Sequence, residues 1–171
     1  MNIEHFKNIK VLGFDIDGVL TDGSVILMPN GDQVRSMNIK DGYALQLAVK
    51  KGFKIFIISG GKSEEAKKRL QLLGVEHIFL GASRKINVLE DIVLEHEIKL
   101  EEMLYMGDDI PDYEVLKAVG ISTCPNDAAS EIKSICHYIS PINGGKGAVR
   151  DVIEKTLKAQ GLWLDSEGFI W

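Results

Sequence analysis

Polar residues suited to chemistry follow four apolar runs of the sequence, each close to the point where the run ends. They are Asp15 and Asp17 after the first run, Ser59 after the second, Lys85 after the third, and Asp108, Asp109 and Asp112 after the fourth. Crowded carboxylates repel one another, so either their pKa values rise or a cation binds among them. Oxygen ligands without a converging His or Cys favour a hard cation, of which Mg²⁺ is the natural choice. Because Mg²⁺ usually takes one or two carboxylates plus a substrate phosphate, these residues predict a site for phosphoryl chemistry.

Lys85 points independently to an anion at the same place. It opens a predicted helix, where a cation faces the positive end of the helix dipole at a cost of up to ~1 kcal/mol. That position is better explained if an anion shares the site. The Ser59 hydroxyl and the amides of Gly60 and Gly61 could donate to the same anion.

Each of these residues also has a structural explanation of its own. Asp108, Asp109 and Asp112 could cap a helix, because Asp is a favoured N-cap residue. Lys85 alone could be a solvated surface residue, and Ser59 a turn hydroxyl. Separate explanations do not predict that the residues fall at the ends of four successive apolar runs. Residues 61–63 also read Gly-Lys-Ser, but a P-loop needs Gly at the position of Phe56, so we expect no ATPase site.

The elements that must position these residues alternate between strand and helix. Strands are predicted at 9–15, 54–58, 77–80, 103–106, 121–123 and 137–139, and helices at 63–72, at 147–160 and after Asp41, Lys85 and Pro111. Asp41 is predicted as the N-cap of its helix. A β-hairpin is predicted within 24–38, with its reversal at Asn30-Gly31. Strand–helix alternation indicates a parallel sheet covered by helices, which binds ligands beyond the carboxyl ends of its strands.

Composition and charge narrow the class of protein. The chain has 171 residues, 45% of them hydrophobic, and we interpret residues 1–171 as a single domain. With 20 Lys+Arg against 25 Asp+Glu, the net charge is −5, which argues against a nucleic-acid partner. We expect no membrane span and no signal peptide, and therefore a cytoplasmic protein. Cys124 and Cys136 cannot make a disulfide framework.

The candidate catalytic residues at the ends of the four apolar runs resemble the four motifs of the haloacid dehalogenase-like phosphatases. The first motif matches residues 15–19 (DIDGV), the second Ser59, the third Lys85 and the fourth residues 107–112 (GDDIPD). The resemblance implies a three-layer αβα Rossmann-like fold, an α/β architecture with a parallel sheet. It also implies that Asp15 is the nucleophile that forms an aspartyl-phosphate and that Asp17 is the general acid and base.

The same resemblance implies the remaining roles at the site. Mg²⁺ would be bound by Asp15, the main-chain carbonyl of Asp17, and Asp108. Ser59 and Lys85 would hold the phosphoryl oxygens and spread transition-state charge. Asp109 and Asp112 would orient the groups that contact the metal.

The spacing of the motifs leaves no room for a cap domain. Only the hairpin and one helix fit between Asp17 and Ser59, and only one helix and one strand fit between Ser59 and Lys85. An uncapped site stays open to water unless a neighbouring subunit covers it. We therefore predict a homo-oligomer, a tetramer, with the hairpin as the contact element.

Three segments resemble more closely the phosphatases of 3-deoxy-D-manno-octulosonate 8-phosphate, an enzyme family of lipopolysaccharide sugar synthesis. The segments are residues 18–23, 38–43 and 144–150. The predicted substrate-binding residues are Asp17, Asn38, Lys40, Asp41, Gly42, Gly60, Arg69 and Lys85, with Arg69 supplied by a neighbouring subunit. Lys40 and Arg69 also suit the carboxylate of a small phosphorylated sugar acid, although Arg69 could equally be a helix surface charge.

At two positions the sequence differs from the octulosonate enzymes, and this leaves the identity of the substrate open. The octulosonate enzymes usually carry Arg at the positions of Gly61 and Gln46, and the related nononate 9-phosphate phosphatases tend to carry Glu at the position of Gly61. A 2-keto-3-deoxynononate or sialic acid 9-phosphate is therefore the alternative substrate, and a non-catalytic binding module is the alternative of another class. The tail at 161–171 resembles a segment that can enter a neighbour's active site, or it docks on its own domain.

Overall fold

A computed structural model describes residues 3–164 and 166–169 of the chain. The eight strands are β1 Val11–Phe14, β2 Ile26–Leu27, β3 Gln33–Val34, β4 Lys54–Ile58, β5 His77–Phe79, β6 Met103–Met106, β7 Ile121–Cys124 and β8 Tyr138–Ile139. The six α-helices are α1 Ile39–Lys50, α2 Glu64–Leu72, α3 Lys85–His96, α4 Tyr113–Ala118, α5 Ser130–Ile135 and α6 Ala148–Ala159. Short 3₁₀ segments lie at Ile3–Asn8, Leu100–Glu102, Ile110–Asp112 and Ser166–Phe169.

Six of the strands form one parallel sheet in the order β5-β4-β1-β6-β7-β8. The central strand β1 pairs with β4 on one side and β6 on the other, and Phe14 lies opposite Ile57 and Met106. This register ends the three strands at nearly the same level. The residues that follow them therefore emerge side by side at one edge of the sheet.

Helices cover both faces of the sheet. One apolar cluster packs α1, α2 and α6 against one face, and the second packs α3, α4 and α5 against the other. Strands buried on both faces need mostly apolar side chains, as β6 and the last four residues of β4 have. The three-layer αβα fold predicted from the sequence is confirmed. None of the described helices is long and apolar enough to cross a membrane.

Helix α1 begins earlier than the sequence suggested. Its N-cap is Asn38, whose side-chain oxygen accepts a 2.8 Å hydrogen bond from the amide of Lys40. The prediction that Asp41 caps this helix is wrong. Asp41 lies in the first turn, where its buried carboxylate accepts a 2.7 Å hydrogen bond from the amide of Arg150. The same Asp residue thus caps α6, a helix distant in sequence.

The hairpin forms a separate two-stranded antiparallel sheet. Its strands are shorter than the sequence suggested, and Gly31 adopts the positive φ that the reversal between them requires. Apolar side chains along it are exposed, including Ile26 at 64% and Leu27 at 72%. The hairpin therefore presents an apolar surface away from the main sheet.

The described part of the tail docks on its own chain. Trp163 is buried, its ring meets the Tyr43 ring edge-on, and the Tyr43 hydroxyl donates to the carbonyl of Gly168. Asp165, Ile170 and Trp171, which also belong to the predicted tail, lie outside the described residues.

Candidate active site at the carboxyl edge of the sheet

The residues predicted to do chemistry meet in one cleft of about 310 Å³. Asp15 follows β1, Ser59 follows β4, Lys85 opens α3, and the acidic segment after β6 completes the wall. The other lining residues are Asp17, Gly18, Gly23, Gly60, Gly61, Asp108, Asp109, Pro111 and Asp112. The convergence follows from the parallel sheet, whose strands all deliver their carboxyl ends to this edge.

Lys85 lies in a buried cluster of opposite charges at the floor of the cleft. Only 3% of its surface is exposed, and its Nζ lies 2.7 Å from Oδ1 of Asp112 and 2.9 Å from Oδ1 of Asp15. The second contact is an ion pair outside hydrogen-bond geometry, so Asp15 Oδ1 is buried without a hydrogen-bond donor. Burial opposes the charged form of Lys85, but the two carboxylates outweigh it and raise its pKa. The ammonium group is therefore held charged beside the predicted nucleophile.

Asp112 is fixed by three donors. Its Oδ1 accepts hydrogen bonds from Lys85 and, at 2.8 Å, from the buried Tyr105 hydroxyl. Its Oδ2 accepts a longer one, at 3.3 Å, from the amide of Asp108. Burial, followed by the charge of Asp112, raises the pKa of Tyr105 well above its usual value, so the phenol stays a donor. Asp112 is thereby positioned to orient Lys85 and the loop that carries Asp108.

The electrostatics of the cleft favour an added cation. Burial, reinforced by the carboxylate of Asp112, raises the pKa of Asp15 to about 7. Burial and the charges of Asp15 and Asp112 likewise raise the pKa of Asp108 to about 7. Carboxylate oxygens of these three residues all lie within 4.8 Å of one another. An all-oxygen donor set with this excess of negative charge fits a hard divalent cation such as Mg²⁺.

A tight turn brings Asp108 against the loop after β1. Gly18 has φ +84°, and a Cβ built on it would lie only 2.0 Å from Oδ2 of Asp108. No side chain fits in that space, and the backbone conformation itself disfavours one. Gly18 therefore allows the carboxylates of Asp15 and Asp108 to approach each other.

Ser59 is placed by the loop that follows β4. The residue is 2% exposed, its amide donates to the carbonyl of Phe79, and its hydroxyl oxygen accepts a 3.1 Å hydrogen bond from the amide of Gly61. Gly60 lines the cleft beside it. The Gly61 amide is therefore already used by Ser59, and the Ser59 hydroxyl and the Gly60 amide are the candidate donors to a phosphate oxygen.

Arg35 is a site residue that the sequence analysis missed. Its Nε lies 2.6 Å from Oδ1 of Asp17 and its Nη2 lies 3.1 Å from Oδ2, so the guanidinium spans both carboxylate oxygens. The hydrogen bond to Asp17 raises the pKa of Arg35 further. Arg35 follows β3 of the hairpin and belongs to no motif. Only its contact with Asp17, which sequence pattern does not reveal, identifies it.

Asp109 has a local structural role in the described chain. Its exposed side chain accepts a 2.8 Å hydrogen bond from the amide of Ile110 and caps the 3₁₀ turn Ile110–Asp112. It still lines the cleft at its outer rim.

The remaining predicted substrate-binding residues lie outside this cleft within their own chain. Lys40 is exposed and Asn38 caps α1. The carboxylate of Asp41 is hydrogen-bonded to α6, and burial raises its pKa to about 6. Arg69 packs over Gly42, since a Cβ on that glycine would lie 3.1 Å from Arg69 Nη2. Their proposed contact with substrate, which for Arg69 involves a neighbouring subunit, stays a prediction.

Comparison with known proteins gives a consistent set of relatives. Residues 77–153 match the family model of the haloacid dehalogenase-like hydrolases. The chain is 35% identical, over 162 residues, to the 3-deoxy-D-manno-octulosonate 8-phosphate phosphatase of Escherichia coli K12, covering 95% of this chain and 86% of the relative. The structure superposes with a TM-score of 0.90 on the Moraxella catarrhalis phosphatase of that name, solved with magnesium, phosphate and KDO. That protein is 32% identical, and the match covers 93% of this chain and 91% of the other. A cobalt-bound form of the Haemophilus influenzae phosphatase matches with a TM-score of 0.90 and 30% identity, over 96% of this chain and 95% of the other.

Proposed function

The chain belongs to the 3-deoxy-D-manno-octulosonate 8-phosphate phosphatase family of haloacid dehalogenase-like hydrolases, and on that premise we propose that it is a Mg²⁺-dependent phosphomonoesterase of a keto sugar acid phosphate. The family predicted from the four motifs is thus confirmed. The observation that carries the proposal is the buried Asp15 carboxylate. It faces an open cleft with Lys85 on one side and Asp108 on the other.

Asp15 is the proposed nucleophile. Its carboxylate oxygen attacks phosphorus in line, the bond from phosphorus to the ester oxygen breaks, and an aspartyl-phosphate forms. Asp17 donates the proton that the leaving alkoxide needs. It then accepts a proton from the water that attacks the aspartyl-phosphate, which releases inorganic phosphate and regenerates Asp15. One catalytic pair thus serves both half-reactions.

The residues proposed to hold Mg²⁺ are Asp15, Asp108 and the main-chain carbonyl of Asp17. The raised pKa values of both carboxyl groups and the closeness of their oxygens support this set. When bound, the ion supplies positive charge that shields the nucleophile from the phosphate and stabilises the transition state. Asp112 offers a third nearby carboxylate, but Lys85, Tyr105 and an amide already occupy its oxygens. We therefore assign Asp112, together with Asp109, to orienting the site.

Three groups are proposed to hold the phosphoryl oxygens. Lys85 supplies a buried positive charge, Ser59 a hydroxyl, and Gly60 a main-chain amide at the same wall of the cleft. Such donors, fixed before the substrate arrives, stabilise the charge that spreads over the equatorial oxygens.

The proposed substrate is 3-deoxy-D-manno-octulosonate 8-phosphate, which would yield the free sugar acid and phosphate. The complex of the Moraxella catarrhalis protein with KDO supports this assignment. A nine-carbon keto acid 9-phosphate is the second candidate, because position 61 is a glycine and carries neither the Arg usual in the octulosonate enzymes nor the Glu usual in the nononate enzymes. The intact set of Asp15, Asp17 and Lys85 argues against a module that only binds.

A homo-oligomer, expected to be a tetramer, is proposed to complete the open site. The exposed apolar side chains of the hairpin support it, because such a surface on an unpaired edge is a site of association. Light scattering should give a mass near four times 18.9 kDa at micromolar concentration. A mass of one chain would refute the proposal. The cytoplasmic location stays a prediction.

Phosphate release tests the enzymatic proposal. We expect turnover of the eight-carbon substrate with Mg²⁺, none after chelation, and loss of turnover in Asp15→Asn. Asp91→Asn, an exposed change on α3, is the matched control and should keep wild-type rates. Full turnover by Asp15→Asn would refute the nucleophile. A higher kcat/KM for a nine-carbon keto acid phosphate than for the eight-carbon compound would make the nine-carbon compound the proposed substrate.

A further inference from the structure

One cation of the hairpin, Arg35, contacts Asp17, which lines the active-site cleft. The side chain of Arg35 is 11% exposed, although most hairpin residues around it are exposed. Its guanidinium is forked over the carboxylate of Asp17, with contacts of 2.6 and 3.1 Å to the two oxygens. Two further contacts, to the carbonyl and side chain of Gln33, tie the guanidinium to its own strand.

This fork restricts the work proposed for Asp17. Oδ1 accepts from Arg35 and, at 3.4 Å, from the Thr21 hydroxyl, and Oδ2 accepts from Arg35, so few of the lone pairs of this carboxylate stay open to a substrate. Release of the guanidinium would open both oxygens to the leaving group. The hairpin strands pair only with each other in the described sheets, so Arg35 is not anchored by the main sheet.

The residues around Arg35 indicate which group could bind its guanidinium in place of Asp17. Arg35 also lines a neighbouring cleft of about 260 Å³ together with Arg69 and Glu65. The two clefts adjoin at Gly61, where a Cβ would lie 3.1 Å from Asp17 Oδ2 and 4.0 Å from Arg35 Nη2. A glycine at that position leaves room for a ligand to pass from the phosphate end to the two arginines. A carboxylate is the planar anion that a guanidinium binds through two parallel hydrogen bonds.

We propose that Arg35 selects substrates with a carboxylate distal to the phosphate, by exchanging Asp17 for that carboxylate and so freeing Asp17 to act as the acid. The inference rests on the proposed phosphatase function. It assigns to this chain a selecting residue on the hairpin. A neutral sugar phosphate would leave the fork on Asp17 in place and would be hydrolysed more slowly.

The test compares two primary alkyl phosphates in the full-length protein with Mg²⁺. One is 3-deoxy-D-manno-octulosonate 8-phosphate, and the other is mannose 6-phosphate, which has a similar leaving group and no carboxylate. Arg35→Gln should lower kcat/KM for the acid about tenfold or more, because a hydrogen-bonded charge pair is lost. For mannose 6-phosphate it should leave kcat/KM unchanged or raise it, because Asp17 is released. Arg84→Gln, which removes an exposed arginine paired with Glu114, is the matched control and should change neither value.

Two other results with Arg35→Gln would refute the exchange of Asp17 for the substrate carboxylate. An equal loss on both substrates would mean that Arg35 only positions Asp17 or supports the fold, and no change on either would mean that it selects nothing. If Arg35→Gln does not fold, Arg35→Lys decides, since it keeps the charge without the fork and should narrow the preference for the acid by a smaller factor. A wild-type protein that hydrolyses neither compound refutes the proposed function and the inference together. One that hydrolyses both equally well refutes the inference alone.

Discussion

Mg²⁺ affinity should rise steeply with pH around neutrality. In the metal-free protein the pKa values of Asp15 and Asp108 are both about 7, and a proton on either group competes with the ion. At about pH 6 each group is roughly nine-tenths protonated, and at about pH 8 roughly one-tenth. The apparent Kd should therefore be weaker at the lower pH, by about tenfold if one proton competes and about a hundredfold if both do. Ordinary carboxyl groups would already be ionised at both pH values and would give no change.

Calorimetric titration of Mg²⁺ at the two pH values measures this effect directly. Repeating it in buffers of different ionisation enthalpy counts the protons released on binding. Asp108→Asn removes one titrating group, so it should weaken binding at high pH and reduce the pH slope. Asp91→Asn, an exposed change away from the cleft, should leave both unchanged. An affinity that does not vary with pH in the wild-type protein would refute the raised pKa values and the metal set built on them.

Three further predictions concern the stability of the metal-free protein and the contact between Gly18 and Asp108. The metal-free protein should lose stability as pH rises from about 4 to 7, because the folded state, with the pKa of Asp15 raised to about 7, binds a proton that the unfolded chain has released. A urea midpoint that rises over this range in chelator would contradict it. Lys85→Met should destabilise the metal-free protein by about 3–5 kcal/mol near neutral pH, because it leaves the buried carboxylates of Asp15 and Asp112 without their cation. An unchanged urea midpoint would show that the cluster is not held by charge. Gly18→Ala should weaken Mg²⁺ binding about tenfold or more, since its Cβ would displace Asp108. Wild-type affinity in calorimetry would mean that the loop adjusts without moving that carboxylate.

The sequence predicts most of the site because strand ends in a parallel sheet are a geometric constraint. Asp15, Ser59 and Asp108 each follow a buried apolar run, and β1, β4 and β6 are neighbours that end at the same level. Apolar runs reveal the strands, and the sheet then brings their following residues together. No knowledge of side-chain contacts is needed for this step.

Contacts made across the fold are harder to predict. Asp41 looked like the N-cap of α1 because Asp commonly caps helices, yet it caps α6, whose amide donor Arg150 is remote in sequence. Arg35 was missed for a related reason. An arginine on a short exposed hairpin is normally solvated, and only the fold of the chain brings this one to Asp17.

The pairing of charges in the cleft indicates where added positive charge is needed. Lys85 is shared by Asp15 and Asp112, and Arg35 is taken by Asp17. Among the residues that the structure describes, none places a Lys or Arg nitrogen in an ion pair with Asp108. An ion bound between Asp108 and Asp15 would supply the positive charge that Asp108 lacks. A substrate carboxylate drawn to Arg35 would in turn uncover Asp17. The metal and the acidic substrate would then each relieve a different part of the same excess of negative charge, which is why we expect neutral phosphates to be poor substrates even with Mg²⁺ bound.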